Sequence, residues 1–272
     1  MTYTLLMVKP DAMGRPEVLA AVESEIAAAG LTGWCVHDVT LTRDQARVLF
    51  PSFDEACYPL TRVLLLSYLT SGPVRFMVLS GERALADGKA VRRAIRSEFA
   101  VGNLANCLHA AADSAEAARQ LAWLETELGV PARWSRAVGD TPPAPAVELV
   151  PGISGRLAGA DLEQLGRAVW AGVRDRGWAG LRGYPVAPEQ WSTWLVSDDR
   201  NSLDYAVSAL LQAHPGWSAE LALEAVLKVD LDGGAAVFAG GEPEVAGLAR
   251  ELAGLGMTVR VEPPALRPVG VG

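Results

Sequence analysis

A histidine preceded by basic residues is the feature of this sequence best suited to chemistry. His109 ends the segment NCLH that begins at Asn106, Arg96 stands thirteen residues before it, and Lys9 directly follows a short apolar run. An imidazole is largely unprotonated near neutral pH, so its nitrogen can attack and carry a group such as a phosphoryl. A phosphoryl group keeps its charge on oxygens, so such a site needs cations. The alternative is that His109 is a polar residue on a partly buried loop.

Charge and composition limit the partners. The chain has 272 residues, which favours two domains, and a formal net charge of −8, with −2 on residues 1–140 and −6 on the remainder. Polyanion-binding proteins normally show a basic excess, so we expect neither nucleic-acid nor membrane binding, and any nucleotide to bind in the first half. Three scattered cysteines indicate neither a disulfide framework nor a metal site. Without a signal or membrane-spanning stretch, a cytoplasmic location is expected.

Hydrophobic periodicity predicts the elements around these residues. In the first part of the chain, strands are predicted at residues 4–8, 34–41 and 74–79, and helices at 17–29, 43–50, 61–69 and 114–128. Thr42 is the predicted N-cap of the second of these helices. The order of strands and helices predicts an α+β fold, ferredoxin-like in outline, with the helices on one face of the sheet.

Four segments resemble the nucleoside diphosphate kinase family and occur in that family's order. They are TLLMVKPDA, YLTSGPVRFMVLSGE, IRSEF and NCLH, at residues 4–12, 68–82, 95–99 and 106–109. The resemblance covers roughly residues 3–135 and implies a ferredoxin-like core. It also implies ATP or another nucleoside triphosphate as substrate, Mg²⁺ with the triphosphate, and assembly into a homo-oligomer.

The resemblance assigns a role to each chemistry-bearing residue named above. It implies that His109 is the phosphorylated residue, that Lys9 and Arg96 bind phosphates, and that Asn106 contacts the sugar. The segment at residues 81–96 is about ten residues shorter than in the family, so the family's phosphate-binding threonine and arginine in that segment are missing. Lys89, Arg92 or Arg93 could replace the arginine, or could be ordinary solvated charges of a helix.

Further departures concern the nucleobase and the histidine. Thr61 falls near the family's base-stacking aromatic residue, and Phe53 near the tyrosine beside the histidine. Gln120 aligns with the glutamate that contacts the second nitrogen of the histidine. A neutral amide cannot stabilise a developing imidazolium by charge. These differences predict a degenerate active site with poor turnover, while nucleotide binding is less affected.

A proline-rich segment predicts where the first domain ends. Residues 139–147 read GDTPPAPAV, which favours a semi-rigid spacer. We therefore predict a nucleotide-binding domain at 1–137, a Pro/Gly-rich linker with one helix at 138–189, and a smaller α+β domain at 190–272. In that last domain, strands are predicted at 191–196, 235–239 and 258–262, and helices at 202–212, 218–229 and 242–255.

Residues 191–263 resemble the Clp protease adaptor (ClpS-like) family, which docks the first residue of certain peptides. The segments WLVSDDRNSLDYAVSALLQ and ELALEAVLKVDLDGGAAV carry this resemblance. It places an acidic pair at Asp198 and Asp199 and a pocket wall at Leu203, Val226 and Val229. Ser197 and Asp230 stand where the family has an asparagine and a pocket histidine, so three carboxylates would surround one pocket. A free amine needs acceptors beside an apolar wall, so a peptide or protein N-terminus or a small amine is the expected partner. The alternative is that the acidic pair only marks the start of a helix.

Three functions follow from these features. The first is a phosphotransferase that uses His109, with a C-terminal domain that recognises a peptide or amine. The second is a weakly catalytic nucleotide-binding regulator coupled to peptide recognition. The third is a biosynthetic enzyme that activates a peptide or amino acid with ATP.

Overall fold

The computed structural model describes residues 1–51, 58–129, 157, 161–198 and 200–265. Its contacts divide the chain into two units, residues 1–52 with 65–147 and residues 53–64 with 148–272. The domain boundaries at 137 and 189 stay predictions. No helix within the described ranges is long and apolar enough to cross a membrane.

A four-stranded antiparallel sheet forms the centre of the first unit. Its strands are β1 (Thr2–Val8), β2 (Thr32–Val39), β3 (Val74–Gly81) and β4 (Leu108–Ala110), in the order β2-β3-β1-β4. The helices along this part of the chain are α1 (Pro10–Met13), α2 (Pro16–Ala28), α3 (Arg43–Leu49), α4 (Pro59–Leu69), α5 (Ala84–Phe99) and α6 (Ser114–Glu127), and residues 59–64 of α4 belong to the second unit. This is the ferredoxin-like arrangement, with α3 and α4 inserted between β2 and β3, and the predicted fold is confirmed. Thr42 caps α3 as predicted.

The prediction that helices cover one face of the sheet is wrong. Residues 4–8 of β1 are all buried, whereas a strand with one solvated face would alternate. Leu6 and Val8 belong to a core cluster with residues of α2 and α5. Met7 points to the opposite face, where its register partners are Phe76 and His109. Because α6 contacts β1, that second face is covered as well, and His109 lies on it.

Three elements of the first unit were missing from the sequence prediction: the four-residue helix α1, helix α5 and strand β4. Helix α5 carries Gly88 in its interior, and glycine is unfavourable there. A Cβ at Gly88 would lie 3.1 Å from Thr4 Cγ2, so the glycine lets α5 approach β1 closely. Strand β4 has only three residues, too few for an alternating pattern. Helix α5 and strand β4 matter because they position the basic residues and the histidine.

A three-stranded antiparallel sheet forms the second unit, with the strand order β6-β5-β7. Its strands are β5 (Trp191–Val196), β6 (Gly234–Gly240) and β7 (Val259–Glu262). Its helices are α7 (Leu162–Arg176), α8 (Leu203–Ala213), α9 (Ala219–Asp232) and α10 (Glu242–Gly254), and Trp178–Gly180 is a single 3-10 turn. The six elements predicted within 190–272 are all present, with small shifts at their ends. Ser202 and Ser218 cap α8 and α9 with their side chains.

Candidate active site

Backbone hydrogen bonds place Lys9 and His109 on neighbouring strands. Lys9 N–H donates to the Cys107 carbonyl at 2.8 Å, just where β1 ends. Cys107 has φ +62°, an uncommon conformation for a residue with a side chain, and its N–H donates to Asp11 Oδ2 at 3.1 Å. These bonds support the strained residue two positions before His109. The turn thereby fixes where β4 begins and which face of the sheet His109 occupies.

The His109 ring is enclosed on the face of the sheet that α6 covers. Only 12% of its side chain is exposed, and its ring meets that of Phe50 edge-on at a centroid distance of 4.9 Å. Burial, together with the charge of Lys9, lowers the pKa of His109 to about 3. The imidazole is therefore neutral at pH 7, which is the form that can act as a nucleophile.

Gln120 and Glu116 both approach Nε2 of His109 from α6. Gln120 Nε2 lies 3.0 Å from that nitrogen and Gln120 Oε1 lies 3.3 Å from it, as the sequence led us to expect for this residue. Glu116 was not among the predicted site residues, yet its Oε1 lies 3.7 Å from His109 Nε2. The prediction that the amide of Gln120 itself supplies no charge is unaffected, but a carboxylate of the same helix lies near the ring. The available signal was that Glu116 precedes Gln120 by four residues, one helical turn.

Three basic residues of α5 reach the strand that carries His109. Arg96 Nε donates to the Leu108 carbonyl at 2.8 Å, and Arg92 Nη1 donates to the Ala110 carbonyl at 3.1 Å. Lys89 Nζ donates to the Ala112 carbonyl at 2.7 Å. The three basic residues are spaced by three and four positions along the helix. Their acceptors are every second residue of β4 and of the chain that follows it. A guanidinium has five N–H donors, so each arginine can hold the strand and also contact an anion.

Lys9 and Asn106 contact each other directly. Lys9 is 5% exposed, and its Nζ donates to Asn106 Oδ1 at 2.6 Å. Burial and the charge of Arg96 lower the pKa of Lys9 to about 7. Burial and the neighbouring Arg92 lower the pKa of Arg96 to about 10. Destabilised cations at close range indicate a site that would gain from an anionic ligand.

Thr61, the predicted nucleobase position, belongs to the second unit, and Phe53, predicted beside the histidine, lies outside the described residues. Thr61 is in the first turn of α4, where its N–H and hydroxyl both donate to Asp204 Oδ2, and Leu60 N–H donates to Asp204 Oδ1 at 2.7 Å. The Thr61 side chain is therefore used to fix the start of α4 within the second unit.

In the second unit, Asp198 is used within its own turn. Its carboxylate accepts hydrogen bonds from the N–H groups of Arg200 and Asn201, at 3.0 and 2.9 Å, and from the Thr258 hydroxyl at 3.0 Å. These hydrogen bonds lower the pKa of Asp198 although partial burial opposes them. This agrees with the alternative that the acid organises the start of a helix, and it disfavours a proton held on Asp198.

The remaining residues of the predicted amine site are dispersed over the elements of this unit. Ser197 directly follows β5 and is half-buried. Leu203 is the first residue of α8, and Asp230 lies half-buried in the last turn of α9. Asp199 lies outside the described residues. The position of this acidic residue, and a convergence of the three acids on one pocket, stay predictions.

Comparison with known proteins gives matches for the first part of the chain. A family model described as nucleoside diphosphate kinase matches residues 2–127. The nucleoside diphosphate kinase of Acidiphilium cryptum is 32% identical over 130 residues, which span 44% of this chain and 90% of that protein. That of Anaplasma phagocytophilum is 33% identical over 129 residues, or 43% and 89%. A crystal structure of the Aquifex aeolicus nucleoside diphosphate kinase shares 22% identity over 48% of this chain and 99% of its own, with a TM-score of 0.41.

The fold, the arrangement around His109 and these matches define a nucleotide phosphotransferase domain over residues 2–127. The Acidiphilium cryptum enzyme is 32% identical and is covered over nine-tenths of its length, which is enough to assign the family. The chain belongs to the nucleoside diphosphate kinase family.

Proposed function

We propose that this protein transfers the terminal phosphoryl group of a nucleoside triphosphate to a diphosphate through His109. The observation that carries the proposal is an enclosed, neutral imidazole beside three basic residues, with its pKa lowered first by burial and then by the charges of Lys9, Arg96 and Arg92. In the first half-reaction, Nδ1 of His109 forms a bond to the γ-phosphorus. The bond from phosphorus to the β–γ bridging oxygen breaks, and its electron pair leaves with the diphosphate. The reverse sequence, with a second diphosphate, completes the transfer.

The basic residues supply what this reaction needs. Lys9, Arg92 and Arg96 would neutralise charge on the equatorial oxygens of the transferred group, and Lys89 would extend the positive region along α5. Arg92 and Arg96 donate to the backbone of β4, and Lys89 donates to the Ala112 carbonyl just after it. These bonds hold the three side chains in place before the nucleotide arrives, so little reorganisation is required.

Mg²⁺ would enter this site on the nucleotide. Among the residues described here, no three His, Cys, Asp or Glu side chains form a group that could hold a metal ion. Mg²⁺ commonly keeps several waters and binds phosphate oxygens with one or two carboxylates. When bound, it would neutralise phosphate charge.

We also propose that turnover is lower than in an efficient member of the family. The segment between β3 and Arg96 is shorter than in the family and lacks the family's phosphate-binding threonine and arginine, and the Thr61 side chain is bonded to Asp204 instead of stacking on a base. Nucleotide binding relies on Lys9 and Arg96 and is less affected.

Intact-protein mass spectrometry with ATP tests the proposal. The wild type should gain the mass of one phosphoryl group, the gain should be lost in acid, and the His109→Gln variant should show none. A His37→Gln variant, which changes the half-buried histidine of β2, is the matched control and should gain the group normally. A wild type that stays unmodified, or a His109→Gln variant that is modified to the same extent, would contradict the proposal.

The second unit keeps amine or peptide recognition as a candidate function. The resemblance of residues 191–263 to the ClpS-like family supports it, as does an acidic residue, Asp198, shortly before α8. An ammonium would have to compete for Asp198 with the N–H groups of Arg200 and Asn201. Calorimetry with a peptide carrying a free N-terminus, and with its acetylated form, tests this function. Equal binding of both, or of neither, would contradict it.

Self-association also stays a prediction, which sedimentation of the full chain would test.

A further inference from the structure

We propose that Glu116 is a positioning residue for His109 and acts through Gln120. In this role it keeps the ring proton on Nε2, so that Nδ1 is the nucleophile, and its charge stabilises the ring once Nδ1 carries the phosphoryl group. The proposal rests on the function proposed above for His109. It assigns the role to Glu116, which lies one helical turn before Gln120, the residue that aligns with the family's glutamate.

The contacts of Glu116 fix its carboxylate on both sides. Oε2 accepts a hydrogen bond from Ala112 N–H at 2.6 Å, and Oε1 accepts one from Gln120 Nε2 at 3.0 Å. The backbone is held too, because Glu116 N–H donates to Asp113 Oδ1 at 2.8 Å at the start of α6. The Glu116 side chain is 11% exposed, so its charge is poorly screened by water. This carboxylate is therefore held beside the ring before any reaction.

The direction of the hydrogen bonds selects one tautomer of the ring. Gln120 Nε2 has two hydrogens and three potential acceptors: Glu116 Oε1 at 3.0 Å, His109 Nε2 at 3.0 Å and the Leu49 carbonyl at 3.4 Å. When its hydrogens go to Glu116 and Leu49, Gln120 Oε1 accepts from His109 Nε2–H, at 3.3 Å. A charged acceptor forms a stronger bond than a neutral imidazole nitrogen, so Glu116 holds the amide in this orientation. Nδ1 then keeps its lone pair.

Without Glu116, the amide loses this constraint. Gln120 Nε2 lies 3.0 Å from His109 Nε2 and would be able to donate to it, which requires the ring proton on Nδ1. That tautomer has no lone pair on Nδ1 and cannot form the new bond. A mixture of tautomers is therefore the expected result of removing the charge.

The charge of Glu116 also matters during transfer. When Nδ1 bonds to phosphorus, the ring retains the Nε2 proton and becomes positively charged. The charged groups that face the ring are Lys9 at the end of β1, Arg92 and Arg96 on α5, and Glu116 on α6. The three cations raise the energy of a positively charged ring by repulsion. The carboxylate, 3.7 Å from Nε2, lowers that energy by attraction.

A purely structural role for Glu116 makes a different prediction. Its position three residues after Asp113 is that of a residue that supports a helix start, and such a role would change thermal stability alone. The ¹⁵N chemical shifts of the His109 ring report the tautomer directly. With three histidines in the chain, the His109 signals are assigned by their loss in His109→Gln.

The experiment combines this NMR measurement with the single-turnover rate of phosphorylation by ATP. Glu116→Gln should slow phosphorylation by about 10–100-fold and should convert the Nε2–H tautomer into a mixture. Glu127→Gln, which changes an exposed carboxylate on the same helix, is the matched control and should change neither. Adding Gln120→Glu to Glu116→Gln should restore the rate to within a few-fold, because it places a carboxylate directly on Nε2.

An unchanged tautomer and rate in Glu116→Gln would overturn the proposal, as would an equal loss of rate in the control variant. If Glu116→Gln does not fold, Glu116→Asp keeps the charge and should retain the tautomer at a reduced rate, and a lost tautomer there would count against the proposal. If the wild type accepts no phosphoryl group, the function proposed for His109 fails. The tautomer then decides alone: a shift in Glu116→Gln supports the positioning role, and an unchanged tautomer overturns it.

Discussion

Nucleotide binding should take up a proton at Lys9 when the pH is above 7. Burial, and then the charge of Arg96, lowers the pKa of Lys9 to about 7 in the free protein, although Asp11 acts in the opposite direction. At pH 8, a group with this pKa is about one-tenth protonated. A bound phosphate favours the charged amine and raises its pKa.

The size of the effect follows from simple electrostatics. Two opposite charges 4 Å apart near a protein surface interact by about 4 kcal/mol, and raising a pKa by two units needs about 2.7 kcal/mol. With a pKa of about 9 in the complex, Lys9 is about nine-tenths protonated at pH 8, so binding takes up about 0.8 proton. Affinity should then fall by about 25-fold as the pH rises from 7 to 9, most steeply near pH 8, where the proton uptake is largest.

Calorimetry of a nucleoside diphosphate at pH 8, in two buffers that differ in ionisation enthalpy, measures this uptake. Neither His109, with a pKa of about 3, nor Cys107, with one of about 12, titrates in this range. Lys9→Met should bind more weakly and without proton uptake, whereas Lys228→Met, on α9, should behave like the wild type. Binding without uptake in the wild type, or uptake that persists in Lys9→Met, would refute this explanation of the site.

Three further results are expected. Changing Lys9 and Arg96 together to Ala removes two charge-assisted contacts worth about 1.5–3 kcal/mol each, so calorimetry should show at least about 100-fold weaker nucleotide binding, and an unchanged affinity would contradict the site. Asp204→Ala leaves the buried N–H groups at the start of α4 without their acceptor, so urea unfolding should show a loss of about 1–3 kcal/mol, and wild-type stability would be the contrary result. A coupled assay of the wild type should give fewer than about 10 turnovers per second, and a rate well above that would show that the missing phosphate and base contacts are compensated.

Much of the site could be predicted from residue types in register. The sequence spacing of Lys9, Arg96 and His109 matches that of the corresponding residues in the family. The structure brings all three side chains together. Glu116 was missed because an alignment compares only residues at corresponding positions. In an α-helix, residues four positions apart lie on the same face, so Glu116 and Gln120 can both contact His109. Alignment therefore identified Gln120, whereas the carboxylate of Glu116 near His109 was found in the structure.

Tertiary packing decided the other differences. Gly88 reduces the helical tendency of α5, yet close contact with Thr4 on β1 requires a residue without a Cβ. Thr61 and Asp204 lie 143 positions apart in sequence, so no local pattern indicated their hydrogen bonds. Asp198 could be interpreted from the local sequence, because an acidic residue before a helix commonly accepts hydrogen bonds from nearby N–H groups. In the structure it accepts from the N–H groups of Arg200 and Asn201.

Transfer from the phosphorylated protein to a second nucleotide examines the complete reaction. Protein labelled with radioactive ATP and then freed of nucleotide should lose its label on addition of unlabelled GDP, and the label should appear in GTP. His109→Gln should neither take up the label nor produce labelled GTP. Label that stays on the protein, or that is released only as inorganic phosphate, would contradict phosphoryl transfer through His109.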